Sequence, residues 1–537
     1  MTLLLATPPA LFLAAFFFYP VIAIVGRGIA PARVVDIDAI VQILTRPFVV
    51  DVVWFTFWQA AVSTLLTLAV ALPAAYAMSR LEFRGRRLLN ALIIVPFVLP
   101  TVVVAAAFMA LVGPRSPIGV RLDQTIWAIL LAHVFFNYAV VVRVVGSVWS
   151  QLDPRLEEAA RVLGANRWSA FRQVSWPLLR PAIVSAAGVV FLFTFTSFGV
   201  ILILGGPEFA TLEVEIYRQA AQLLDLRVAA TLALLQLAAL GALLAVYGFV
   251  VRRAVPVRHL ATSNVARRPR TRTEKAFLLT NLAVMAALLG LPLAVLVARS
   301  LSLDGSREVY AYYAALFATP SNVASTERPF EALRNSLAFA VVATGISSSL
   351  GLLASLVITR SRGWLGHAFD AVLTLPLGTS AVIVGFGYLV TLGGLPIDLR
   401  ASPVLIPIAH SVVALPFIVR AVVPVLRSID PRLREAAAVL GATPSGIWRS
   451  VDLPIITRAV LVGAGFAFSI SLGEFGATLF IVRPDTPTMP IAIFRLLDQP
   501  SAFLFGQAMA MSVVLMVVTA LAVLVIDRFR LTPASAL

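Results

Sequence analysis

The sequence predicts an all-α polytopic membrane protein, with about twelve transmembrane helices arranged as two tandem six-helix halves. Three observations carry that prediction. Of 537 residues, 60% are hydrophobic and 13% charged, with a mean hydropathy of +0.95, against about 25% charged in an ordinary soluble domain. Apolar runs repeatedly exceed the ~20 residues a helix needs to cross the hydrocarbon core, without the two-residue alternation of a barrel strand. Finally, a charged phrase recurs inside this apolar chain. Asp153-Pro154-Arg155-Leu156-Glu157-Glu158-Ala159-Ala160 returns 277 positions later as Asp430-Pro431-Arg432-Leu433-Arg434-Glu435-Ala436-Ala437. In both copies six residues lead from Glu158 or Glu435 to Gly164 or Gly441, and thirteen more to Pro177 or Pro454.

The spans are expected near 8–26, 56–78, 89–112, 126–148, 182–204 and 228–251, then 276–300, 334–358, 367–392, 403–425, 459–482 and 507–527. The first has no basic residue before it and reads as an uncleaved anchor. Arg and Lys concentrate in the even-numbered loops, which places those loops and both termini in the cytoplasm. The net charge of +16 therefore records topology rather than nucleic-acid binding. The densest basic cluster, from Arg252 and Arg253 through Arg258 to Lys275, reads with Pro256 and Pro269 as a cytoplasmic linker over 252–275. It separates a first half, 1–251, from a second, 276–537. Each half has an even number of spans, so both enter the bilayer in the same sense and the repeat is parallel.

The repeat reaches beyond the charged phrase. At an offset of 277, His133 matches His410, Arg143 matches Arg420, Phe198-Gly199 matches Phe475-Gly476, and Thr211 matches Thr488. Upstream the offset drifts, and Leu99-Pro100 is paired with Leu375-Pro376.

Each charged loop, 153–181 and 430–458, reads as a short helix, a turn and a second basic helix. Asp153 is placed to cap, Pro154 suits the first turn, and Glu157-Glu158 favour the positive helix end. Ala159-Ala160 and Ala436-Ala437 leave smooth faces for close approach. Gly164 and Gly441 are placed to end the short helix in a left-handed turn. Pro177 and Pro181 are expected to mark the return to the bilayer. The result is a knob for a groove on a soluble partner; the bland alternative is a pair of helices lying on headgroups.

Few residues offer chemistry inside the spans. Glu474 stands opposite Ser197 in the repeat, either favouring a cationic cargo or bonding a neighbouring helix as a gate. His133 and His410 read as packing hydrogen bonds rather than metal ligands, because no second ligand lies at the right spacing. The phenylalanines of Phe191-Leu192-Phe193-Thr194-Phe195 read as packing, with stacking on cargo as the other use. Glu208, Glu213 and Glu215 are expected to face outside, where a binding protein docks. With no cysteine, thiolate metal sites and disulfides are excluded. No Gly-rich loop ends in Lys-Ser or Lys-Thr, so ATP must be bound elsewhere. No cofactor and no catalytic group is expected in this chain.

Both loops resemble the EAA loop of permease subunits of ATP-binding-cassette importers, with Trp176 standing where leucine is usual. That resemblance covers the whole chain as two fused permease domains. It implies a separate ATPase, in two copies, docked on Glu158, Ala159, Gly164, Glu435, Ala436 and Gly441. It also implies an extracytoplasmic solute-binding protein and a plasma (inner) membrane location. Thr56-Phe57-Trp58-Gln59-Ala60, Leu131 to Asn137, Thr211-Leu212-Glu213 and Gly473-Glu474-Phe475-Gly476 resemble the thiamine importers, with the ferric-iron importers as the alternative. The rival of another class, an ion-gradient transporter, needs an intramembrane acidic ion site, for which only Glu474 offers itself.

Overall fold

The computed structural model describes residues 2–29, 36–253, 266–301, 308–317, 328–361, 364–392, 399 and 402–530. Among the described residues, ten helices are long and apolar enough to cross a membrane. In the first half these are α1 (Leu4–Ile29), α2 (Pro47–Arg80), α5 (Ile126–Gln151), α7 (Arg167–Phe195) and α9 (Leu226–Phe249). Between them lie the paired segments α3 (Arg86–Val98) and α4 (Thr101–Val112), the loop helix α6 (Pro154–Val162) and the short α8 (Leu212–Tyr217). The second half contributes α10 (Arg272–Ser300), α11 (Pro329–Arg360), α12 (Trp364–Thr374), α13 (Ala381–Thr391) and α14 (Leu405–Ser428). It closes with α15 (Pro431–Val439), α16 (Pro444–Gly473), α17 (Met489–Leu497) and α18 (Ala502–Val525).

Two expected spans are not single rods. α3 and α4 meet at 100°, because Leu99 and Pro100 are both extended and Pro100 has no N–H to continue the ladder. In the second half the same break falls between α12 and α13, through a single turn at Leu375–Gly378. The turn Val95–Val98 and its counterpart begin 280 positions apart, as do α4 and α13. Pro96 therefore corresponds to Pro376, and Pro100 to Ser380. The pairing of Leu99-Pro100 with Leu375-Pro376 is thereby corrected: a shared dipeptide is weaker than the register of the break.

The fifth and eleventh spans begin earlier than expected. α7 and α16 rise without interruption from the charged loops, through π-turns at Phe171–Ser175 and Trp448–Asp452. The wider turn carries the helix past Pro177 and Pro454, whose missing N–H would otherwise break it. These prolines lie within helices and do not mark a fresh entry into the bilayer. Both helices then stop where Thr196-Ser197 and Glu474 begin.

The two halves are interleaved. α1 packs on α9 of its own half and equally on α11 and α13 of the other, where the Tyr388 hydroxyl donates to the Phe16 carbonyl at 2.7 Å. α10 likewise packs on α18 of its own half and on α4 of the first. Part of the basic linker is fastened too. Arg267 and Leu81 form an isolated bridge, and the Arg267 guanidinium donates to Glu274 at 2.5 and 3.0 Å, which raises its already high pKa. Pro256 and Arg258 of the expected cluster, and residues 531–537 of the expected cytoplasmic C-terminus, lie outside the described residues.

Candidate functional site

Both charged loops fold as expected. The Asp153 and Asp430 carboxylates accept from the amides of Arg155 and Arg432 at 2.9 Å. Gly164 and Gly441 end α6 and α15 at φ +94° and +85°, a conformation that favours glycine. Glu158, Ala159, Glu435 and Ala436 are exposed, with Ala160 and Ala437 half-exposed. At the tips Val162, Leu163, Val439 and Leu440 are each 87–89% exposed. Two equivalent apolar tips in water are better explained by a partner than by folding.

At the other end of α7 and α16 the halves meet on the repeat axis. The Phe198 and Phe475 rings, 277 positions apart, stack on each other at 5.6 Å and 29°. Tyr217 and Phe494, again a repeat pair, pack edge-on against them at 5.8 and 5.4 Å. Phe198 and Phe475 of this row line one hollow and Phe494 a second, and the two share no lining residue. The second, about 380 Å³, is bounded by Leu202, Ile203, Phe494 and Asp498 among others. The central one, about 440 Å³, extends toward the charged loops past Phe136, Phe193 and Phe466.

Of the candidate pathway residues, the central cavity gathers Glu474, Ser197 and His133 but not His410. Seven phenylalanines, His133, Asn137, Ser197, Glu474 and Glu213 line it, with no Lys or Arg among the described residues. His133 Nδ1 bonds Ser63 at 3.0 Å and its Nε2 bonds Ser197 at 2.8 Å. His410 sits behind the wall, bonded to Ser471 at 2.7 Å and Thr478 at 2.9 Å. Glu474 accepts from the Ala477 and Thr478 amides at 2.8 and 3.0 Å and from the Thr478 hydroxyl, with His410 Nε2 at 3.4 Å. Its carboxyl group thus fastens the break in the helix at the wall of the cavity.

The pattern of the family described as "Binding-protein-dependent transport system inner membrane component" matches residues 69–256 and 347–531. The chain belongs to this family. The permease is similar to the thiamine transport system permease proteins ThiP of Brucella abortus (strain 2308) and Escherichia coli (strain K12). Each is 27% identical, over 497 and 466 residues; the match covers 88% and 83% of this chain, and 86% and 83% of the relatives. A bacterial importer of the acidic polysaccharide alginate superposes at a TM-score of 0.40 and 17% identity, over 46% of this chain and 94% of that one.

The outward acidic face expected of this permease is corrected. Glu208 is exposed, but Glu213 is fully buried and Glu215 is 7% exposed. α8 turns inward because Thr56 Oγ1 accepts the Leu212 amide at 3.0 Å, as Ser336 accepts Met489 at 2.8 Å in the second half. Glu213 then receives Ser380 and Gln236 at 2.5 Å each, bridging the two halves. The sequence hid this residue because Glu213, Glu215 and Arg218 together look like a solvated loop. A period-two reading of Leu212, Val214 and Ile216 would also have misplaced it, since the segment is helical and buried all round. The stretch 191–195 divides: Phe193 lines the cavity, and Phe195 is core.

Proposed function

We propose that this permease imports thiamine, an aromatic cation, through the central cavity. The observation that carries the reading is the lining: seven phenylalanines with two buried carboxylates and no basic side chain except a histidine among the described residues. Aromatic faces and carboxylates both attract organic cations, the former by about 0.5–2 kcal/mol per contact. Its volume of about 440 Å³ lies within the ~300–1,000 Å³ of small-molecule sites. The similarity to thiamine permeases supports the same cargo.

The cycle follows from the two hollows. An extracytoplasmic solute-binding protein delivers cargo on the outer side, beside the hollow around Asp498. Two copies of a separate ATPase grip the exposed tips of α6 and α15, one on each half, through Glu158, Glu435 and the apolar residues beside them. ATP is bound and hydrolysed there, and both chain termini lie on that cytoplasmic side. With the four rings closed, the cavity faces the loops; closure of the ATPases opens the rings outward. Cargo must therefore bind the two states unequally.

Uptake of labelled thiamine at nanomolar supply by cells with and without this chain is the test. Loss on deletion, restored by the wild type, supports the reading. Unchanged uptake rejects the cargo and directs the same assay to ferric iron.

A further inference from the structure

Between each knob and its span the chain passes through one left-handed glycine, Gly164 or Gly441. A push on the tip of α6 would fold that hinge instead of moving α7, unless a second contact closed the triangle. Such a contact exists in both halves. In the second, Arg434 on α15 donates through Nε to Asp452 Oδ1 at 2.8 Å. Asp452 is buried in the π-turn at the root of α16. The last residue of α11, Arg360, stands 3.7 Å from the other carboxylate oxygen and 5.5 Å over the Trp448 ring. One buried carboxylate thus ties three helices together.

In the first half the buried Ser175 hydroxyl donates to Glu157 on α6. Arg80, at the end of α2, is buried within electrostatic range of Glu157 and Asp153. Glu157 corresponds to Arg434 and Ser175 to Asp452 at the offset of 277, and Arg80 to Arg360 at 280. The position of the tie is kept while its polarity is reversed: the loop accepts in one half and donates in the other. Two unlike pairs at one place point to a mechanical requirement rather than to a particular residue.

We propose that Glu157–Ser175 and Arg434–Asp452 are clamps that make each loop helix and the span after it move as one rigid lever. The inference rests on the docking of an ATPase at the two knobs. A charge-assisted hydrogen bond, accepted by Glu157 in one half and by the buried Asp452 in the other, keeps each clamp shut through the cycle. These are positioning residues: they touch neither cargo nor nucleotide.

The test uses the affinity-tagged chain purified from membranes with its own ATPase. Since the chain has no cysteine, spin labels at Gln173→Cys and Ser450→Cys, exposed repeat partners on α7 and α16, report movement of the two spans without reference to cargo. In the wild type the label distance changes on adding ATP. In Arg434→Ala and Asp452→Asn the ATPase is expected to remain bound and to hydrolyse ATP while that change falls to about half, since only α16 is uncoupled from its loop. Arg434→Glu with Asp452→Ser rebuilds the first half's clamp and is expected to restore it. A wild-type response in both single variants overturns the proposal. So does loss of the ATPase from the single variants without recovery in the double, which would make the pair a folding contact. If the wild type itself retains no ATPase, the docking reading falls and the clamps fall with it.

Discussion

The row of four rings makes a quantitative prediction. Phe198 touches Tyr217 and Phe475, and Phe475 touches Phe198 and Phe494, at centroid distances of 5.4–5.8 Å. Each aromatic pair is worth about 0.5–1.5 kcal/mol beyond its area. If the rings part when the outer side opens, Phe198→Ala and Phe475→Ala each remove two pairs from the closed state alone. Either change then favours opening by about 1–3 kcal/mol, or roughly 5- to 150-fold. The double variant removes three pairs, not four. It should fall short of additivity by the energy of the shared stack, about 0.5–1.5 kcal/mol, or roughly 2- to 12-fold. Spin labels at Glu208→Cys and Asp485→Cys, exposed repeat partners on the outer loops, measure the populations in the nucleotide-free complex. Strict additivity, or wild-type populations in both single variants, would refute the assignment of these rings as the closure.

The two carboxylates should separate by phenotype. Glu213→Gln is expected to raise the KM for thiamine about 10- to 100-fold, the worth of a charge-assisted contact, with little change in melting temperature. Glu474→Gln should instead lower the melting temperature, because it weakens the contacts to Ala477, Thr478 and His410; the opposite pattern would exchange their roles. Combined Glu158→Arg and Glu435→Arg should release the ATPase in a pull-down while the permease keeps its thermal stability, and retention would reject these residues as the grip. A Cβ at Gly385 would lie 2.7 Å from Ala477 Cα, so Gly385→Val should destabilise by about 1–3 kcal/mol through overpacking, measured as a fall in melting temperature.

What could be read from sequence was what repeats locally. Asp153, Gly164 and their copies obey capping rules that act within one turn, and the structure returns them at the expected positions. The apolar helices were legible for the same reason, since the hydrocarbon core imposes their length. What failed was non-local. Pro177 sits in a continuous helix because a π-turn upstream absorbs it, whereas Pro100 breaks its span; the residue is the same and the neighbouring backbone decides. Glu213 looked solvated until Ser380, from the other half, supplied its hydrogen bond. The clamps were visible as paired substitutions, Glu157 with Ser175 against Arg434 with Asp452, but only the fold places those positions in contact.

The walls of the central cavity descend from equivalent elements, yet its polar groups do not repeat. Glu474 answers Ser197, and the position matching Glu213 is Pro490. A true two-fold chamber would admit a lopsided molecule in two indistinguishable poses, or two molecules at once. This chamber tells head from tail. Binding should therefore saturate at one cargo per chain, held in a single orientation, and that orientation would be fixed by which half carries which carboxylate.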